Sequence, residues 1–166
     1  QARSLRCAGN AMDEAIARFV RREHHLLIGP ASAERIKIGA GTALASASGR
    51  AAEIRIRGRD LKEGRPKAVV LTPDDIAGAL SGPISDIADF IQRAVEELPV
   101  EVRADIVERG LLLSGGGALL HGLGEVLERR LGVRFTMPER PMHCVVTGTA
   151  RVLATLDERR HLLIAP

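Results

Sequence analysis

Aromatic residues are nearly absent from this chain of 166 residues, which contains no Trp, no Tyr and three Phe. Proteins that bind single-stranded nucleic acid commonly stack exposed aromatic rings on the bases, so we expect no nucleic-acid partner. The net charge of +3 arises from 24 basic and 21 acidic residues, a balance too even to indicate a polyanionic partner. Hydrophobic residues make up 45% of the chain, and they must build a core of Leu, Val, Ile and Ala.

Cysteine and long hydrophobic runs are also scarce. Cys7 and Cys144 are the only cysteines, and they provide neither metal-site spacing nor a disulfide framework, which favours a reduced, cytoplasmic setting. No apolar run approaches the length of a membrane span, and the first residues do not read as a signal peptide. The chain starts at Gln1 in what reads as the middle of a strand, so we expect a trimmed or truncated chain.

Hydrophobic periodicity predicts a mixed α/β chain in which a smaller unit is inserted into a sheet-based one. Asn10 and Ser32 are predicted helix caps, Thr72 with Pro73 is a helix start, and Gly82-Pro83 is expected to interrupt the following helix. The predicted elements are a strand at 1–8, a helix from 11, a short helix through 34–37, a loop at 39–50, strands at 53–57 and 67–71, helices from 72, at 84–98 and at 99–110, a strand at 111–114, a helix to 131, a strand at 132–137 and a helix at 142–156.

The most informative segment is the glycine-rich junction at residues 113–123. An apolar run ends in Gly115, Gly116 and Gly117, and an amphipathic segment follows. A strand–glycine–helix junction lets backbone N–H groups approach a ligand closely, as in many nucleotide sites. A tight turn that merely needs glycine explains the same pattern, so the junction alone is a weak signal.

Glu34 and Lys37 form a second candidate pair, because residues three apart share one face of a helix. A carboxylate there can bind ribose hydroxyls, and an ammonium can bind the adenosine or its phosphates. For the pair taken by itself, an ordinary surface salt bridge, worth under about 1 kcal/mol, is the favoured explanation.

Eight segments resemble, in collinear order, the bacterial actin family MreB. They are residues 12–16, 27–29, 33–37, 57–61, 105–110, 113–120, 139–141 and 144–148. The resemblance covers residues 3–156 and implies an α/β fold of the actin/chaperone-ATPase/sugar-kinase (ribonuclease H-like) type, of which this chain is the second half. Residues 1–9 and 96–166 would form part of the lower subdomain, and residues 10–95 the inserted upper subdomain.

The resemblance also implies an adenosine pocket and the residues that line it. These are Glu34, Lys37, Gly115, Gly116, Gly117, Thr147 and Gly148. Thr147 and Gly148 are the weakest of them, because the family is richer in glycine there; Gly39 also replaces a family acid, and Ala8-Gly9-Asn10 stands where the family has Gly-Gly-Asp. No catalytic residue and no metal ligand is assigned to this chain.

The function implied by the resemblance is that of an ATP-binding, filament-forming actin that organises cell-wall synthesis and rod shape. Its cofactor would be ATP, with Mg²⁺ in the full-length parent, and its partners would be copies of itself and cell-shape or cell-wall synthesis proteins. The parent would be cytoplasmic and membrane-associated. The resemblance implies that the family's membrane-inserting elements lie in the missing half or its terminus, so no direct membrane contact is expected from this chain.

Catalysis in this fold needs two phosphate-binding glycine hairpins, and neither occurs in the sequence. The parent is expected to be a slow ATPase, and this chain alone is expected not to hydrolyse ATP. Two alternatives stay open: another actin-like filament protein of the magnetosome-organising type, and an ATPase domain of the chaperone or sugar-kinase superfamily.

Overall fold

The computed structural model describes residues 3–5, 7, 9–44 and 53–156, which form six α-helices, five β-strands and two 3₁₀ turns. The helices are α1 (Gly9–His24), α2 (Pro30–Ala40), α3 (Pro73–Glu96), α4 (Val100–Arg109), α5 (Leu123–Leu131) and α6 (Cys144–Ala154). The strands are β1 (Leu26–Leu27), β2 (Ile54–Asp60), β3 (Pro66–Leu71), β4 (Leu111–Leu112) and β5 (Phe135–Thr136). The 3₁₀ turns are Gly116–Leu119 and Pro141–His143.

The five strands form two small sheets. Strands β1, β2 and β3 form an antiparallel sheet in that order, with Ile54 opposite Leu71, while β4 and β5 pair in parallel. The predicted hairpin of β2 and β3 is confirmed. Strand β2 extends to Asp60, beyond its predicted end at residue 57, because the Asp60 side chain stabilises the turn that follows. Its carboxylate accepts from the N–H groups of Lys62 and Glu63 and lies 3.1 Å from the Lys67 ammonium. These interactions, led by the Lys62 N–H, lower the pKa of Asp60 to about 2.

The core lies between the three-stranded sheet and helices α1, α2 and α3. The predicted helical spacing of Met12, Ile16 and Val20 is confirmed, since all three are buried on one face of α1. Helix α3 buries residues spaced by four against the same core: Ile76, Leu80, Ile84 and Ala88. Burying each large aliphatic side chain stabilises the fold by about 1.5–3 kcal/mol, so these faces dominate its energetics.

Three predicted helix boundaries are wrong. Asn10 does not cap α1, because the helix begins one residue earlier, at Gly9. Helix α3 is continuous through Gly82 and Pro83, since the burial of its apolar face outweighs the ~3 kcal/mol that an interior proline costs. Ser32 does not cap α2, because the helix begins two residues earlier at Pro30 after Gly29. The start of α3 is confirmed: Thr72 and Asp75 form a reciprocal capping box with Pro73 at the first position.

Other segments differ from prediction at the glycine-rich junction and near the N-terminus. Strand β4 ends at Leu112, and no α-helix begins directly after the glycines, because the 3₁₀ turn Gly116–Leu119 comes before α5. In the predicted strand 1–8, residues 3–5 and 7 lie in neither helix nor strand, and the rest lie outside the described residues. In the predicted loop 39–50, residues 39 and 40 belong to α2, and residues 45–50 lie outside the described residues. The subdomain boundary near residue 95 stays a prediction.

Candidate functional site

A cleft of about 680 Å³ lies between α2 and the glycine-rich junction. One wall is formed by α2 and the N-terminal turn of α1, including Glu34 and Lys37. The facing wall is the 3₁₀ turn with Gly116 and Gly117, and Met142 stands at the rim. Residues about eighty positions apart in the sequence therefore face one another across a single cavity of ligand size.

The two walls are joined at the base of the cleft by Thr42 and His121. The Ala43 N–H donates to the His121 carbonyl at 2.8 Å, and the buried Thr42 hydroxyl lies 3.2 Å from His121 Nδ1. Gly122 adopts φ +73°, and a Cβ on it would stand 2.4 Å from Leu44 Cγ. Only glycine therefore permits this close approach, which fixes the distance between the walls.

The glycine-rich junction leaves open space on the cleft side. Gly115 adopts φ +84° and donates its N–H to the Pro141 carbonyl at 2.8 Å, which ties the two 3₁₀ turns together. The N–H groups of Gly116 and Gly117 stand at the start of a 3₁₀ turn, where helices leave N–H groups without internal partners. A Cβ built on any of the three glycines meets no atom within 4 Å. The junction therefore leaves room for a ligand beside its backbone.

Lys37 is held by the protein itself. Its Nζ lies 2.8 Å from Asp13 Oδ2 and 3.2 Å from the Gly9 carbonyl, and the Lys37 and Asp13 side chains are 18% and 14% exposed. Both partners belong to the first turns of α1, which packs against α2. The ammonium is thus fixed at the edge of the cleft by a largely buried ion pair.

Glu34 is exposed on the same face of α2 and lines both the main cleft and a neighbouring pocket of about 490 Å³. The surface salt bridge considered above is not formed, since Lys37 pairs with Asp13 instead. Within the described ranges, no cation lies within salt-bridge distance of Glu34. Its carboxylate therefore remains available to ligand hydroxyls.

The structure brings together four of the seven predicted residues: Glu34, Lys37, Gly116 and Gly117 line the cleft. Gly115 shapes the turn without lining the cavity. Thr147 and Gly148 lie exposed on α6, outside the residues that line the cleft. All seven stay predictions as ligand contacts. Over residues 9–44 and 53–156, no three His, Cys, Asp or Glu side chains are grouped to hold a metal ion, so no Mg²⁺ ligand is assigned.

Sequence reasoning missed Asp13, His121 and Met142 as parts of this site. Asp13 reads in the sequence as an ordinary acid in the first turn of a helix, 24 positions from its partner. His121 stands in no recognisable sequence motif, whereas in the fold it joins the walls of the cleft. No local pattern identifies these roles, because each depends on a contact between distant segments.

Comparisons with known proteins point to one family. A family model described as "MreB/Mbl protein" matches residues 1–161. The cell shape-determining protein MreB of Escherichia coli strain K12 is 41% identical over 154 residues, which are 93% of this chain and 44% of that protein. The chain thus spans less than half the length of the curated relatives it matches.

Solved structures give the same fold. MreB 5 of Spiroplasma citri, crystallised with AMPPNP and with ADP, matches 96% of this chain and 47% or 48% of that one, with a TM-score of 0.89 and 27% identity. The MamK double helical filament matches 83% of this chain and 42% of MamK with a TM-score of 0.68 and 19% identity, a likeness of fold alone. The chain therefore has an actin-like fold. Among its described helices, none is both long and apolar enough to cross a membrane.

Proposed function

Because the chain belongs to the MreB/Mbl family of cell shape-determining proteins, we propose that it forms one wall of the ATP-binding cleft of a filament-forming bacterial actin. The cleft between α2 and the glycine-rich junction carries this proposal. It combines a carboxylate, a fixed ammonium and an open glycine turn in a volume of about 680 Å³. The related MreB 5 has been crystallised with AMPPNP and with ADP, which supports a nucleotide as the ligand.

The nucleoside end of the ligand would occupy this cleft. Glu34 would accept from the ribose hydroxyls, Lys37 would donate to the ribose or base, and Gly116 and Gly117 would lie against the nucleoside because they carry no side chain there. The phosphates and their Mg²⁺ would be held by polypeptide outside these residues. Thr147 and Gly148 would approach the ligand only at its outer edge.

The remaining walls would be supplied by polypeptide that corresponds to the rest of the relatives' length. The exposed apolar side chains of the C-terminal part support this arrangement, because large apolar side chains left uncovered in such number are typical of a surface that another polypeptide covers. They are Val100, Val107, Leu112, Val145, Val146 and Leu153, each at least 61% exposed.

A steric block tests nucleotide binding. In Gly116→Val the new side chain would occupy open cleft space, so the fold should persist while affinity for ADP or AMPPNP falls at least about tenfold, measured by calorimetry. Gly82→Val is the matched control, since its Cβ also meets no atom within 4 Å but lies on α3, away from the cleft. Equal affinities of the two variants would overturn the proposal.

The proposal also includes self-association into filaments and a role in cell-wall synthesis in the cytoplasm. The fold is shared with MamK, which forms a double helical filament, and the relatives are named for determining cell shape. When the chain is joined to its complementary half, nucleotide should increase both its light scattering and the amount of protein that pellets on centrifugation. Scattering that is unchanged by nucleotide would contradict the filament.

A further inference from the structure

Lys37 has only one N–H left for a ligand. An ammonium carries three N–H donors, and the protein uses two of them, for Asp13 Oδ2 at 2.8 Å and for the Gly9 carbonyl at 3.2 Å. The side chain is 18% exposed, so water competes little for these bonds. The position of the third N–H at the cleft is therefore set by α1.

Asp13 is committed to this single partner. Its Oδ2 accepts from Lys37, while its Oδ1 is buried and, among the described residues, accepts from no donor. No competing cation within those ranges pairs with the carboxylate. An isolated buried carboxylate is costly, so the attraction between Asp13 and Lys37 is strong in both directions.

The pairing changes the charge that a ligand meets at this wall. A lysine without a protein partner can bind phosphate as a compact positive charge. Here the Asp13 carboxylate compensates that charge, and Glu34 adds a negative charge on the same side of the cleft. Lys37, Asp13 and Glu34 together carry a net charge of about −1, which favours a neutral acceptor over a phosphate as the partner of the remaining Lys37 N–H.

We propose that Asp13 is a positioning residue that fixes Lys37 and makes the α1–α2 wall select the nucleoside end of the nucleotide, with the phosphates directed away from it. This inference rests on the proposed nucleotide function and adds to it the residue that sets the orientation of the ligand. Asp13 itself does not need to touch the ligand.

Lysine acylation tests the positioning without any nucleotide. The chain has three lysines, Lys37, Lys62 and Lys67, so each can be quantified by mass spectrometry after brief treatment with an amine-acylating reagent. Lys37 should react about tenfold more slowly than exposed Lys62, and Asp13→Asn should remove most of this difference. Glu14→Gln is the matched control and should change nothing, because Glu14 faces Arg18 on the exposed side of α1. Equal rates for Lys37 and Lys62 in the unmodified protein would overturn the proposal.

The ratio of adenosine affinity to ADP affinity tests the selection. Asp13→Asn frees the Lys37 charge, so the preference for ADP over adenosine should rise about three- to tenfold. The double variant Asp13→Asn/Lys37→Gln removes both charges and should restore the original ratio, which a general loss of packing would not do. A purely structural role would weaken both ligands equally and leave the ratio unchanged, which overturns the selection.

The two proposals fail in different ways. If neither adenosine nor ADP binds the unmodified protein, the proposed function and the selection are overturned, while slow acylation of Lys37 that Asp13→Asn relieves still assigns the positioning to Asp13. If both ligands bind and Lys37 is acylated freely, the nucleotide function stands and the role of Asp13 is overturned.

Discussion

The N-terminal region (residues 9–44 and 53–96) and the C-terminal region (residues 97–156) bury their apolar residues very differently. Helices α1, α2 and α3 each present a buried face to one continuous core. Helices α4 and α6 have no buried residue, although both carry apolar side chains. Val107 of α4 is 74% exposed, and Val145 of α6 is 77% exposed. The first region therefore supplies most of the core, and the second leaves apolar side chains of α4 and α6 exposed.

Helix α5 is the exception within the C-terminal region. Leu123 and Leu127 are buried, and Arg130 lies 2.7 Å from both Ser85 and Asp89 of α3. This helix anchors the glycine-rich junction to the packed region. The cleft thus lies between the closely packed N-terminal region and the more exposed C-terminal region, and Lys37 stands on the closely packed side.

The largest expected effect is loss of core packing in the N-terminal region. Leu80→Ala removes a fully buried side chain of α3 and should lower the free energy of unfolding by about 2–5 kcal/mol. Val107→Ala on α4 should change it by less than about 0.5 kcal/mol, because the side chain has little to lose. Urea denaturation of both variants measures the contrast. A comparable cost at Val107 would show that the α4 face is already covered in solution.

The next effect concerns the joint between the regions. Gly122→Ala forces a side chain into the left-handed conformation and against Leu44, so we expect a loss of about 2–4 kcal/mol. Gly132→Ala has a similar φ of +66° but open space around its Cβ, so it should lose only about 1–2 kcal/mol. Thermal unfolding separates backbone strain from the clash. Equal losses would mean that Leu44 and Gly122 do not pack together.

The smallest effect is the pH dependence supplied by Asp60 in the hairpin. A pKa lowered to about 2 means that the folded state favours the charged form, so the stabilisation is complete above the unfolded pKa of about 4. It should be lost as the pH falls from about 4 to 2. The difference in unfolding free energy between the unmodified protein and Asp60→Asn, measured against pH, should shrink across this range. If the difference in unfolding free energy stays constant between about pH 4 and pH 2, Asp60 does not supply this pH dependence.

A control isolates the cause of this shift. Lys67→Met removes the paired ammonium but keeps the two backbone N–H donors of Lys62 and Glu63. Because the Lys62 N–H is the largest cause, the variant should keep most of the pH dependence. If the variant loses the pH dependence completely, the ion pair with Lys67 is the main cause of the shift instead.

Local patterns predicted much of the fold because their causes are local. The spacing of Met12, Ile16 and Val20 fixes the buried face of α1, and Thr72 with Asp75 caps α3 through groups three residues apart. The prediction failed at Pro83, where the local rule favours a break. Packing of the α3 face against α1 decided otherwise, and this contribution is invisible in a window of neighbouring residues.

The sequence determined that Glu34 shares a helix face with Lys37, and that Gly115 to Gly117 form a turn without side chains. Tertiary structure decided which partners those groups face: Asp13 instead of Glu34 for Lys37, and Thr42 for His121. The physical reason is distance along the chain. Capping and periodicity act within a few residues, whereas the ion pair and the joint between the walls link segments 24 and 79 positions apart, which only the packed core brings together.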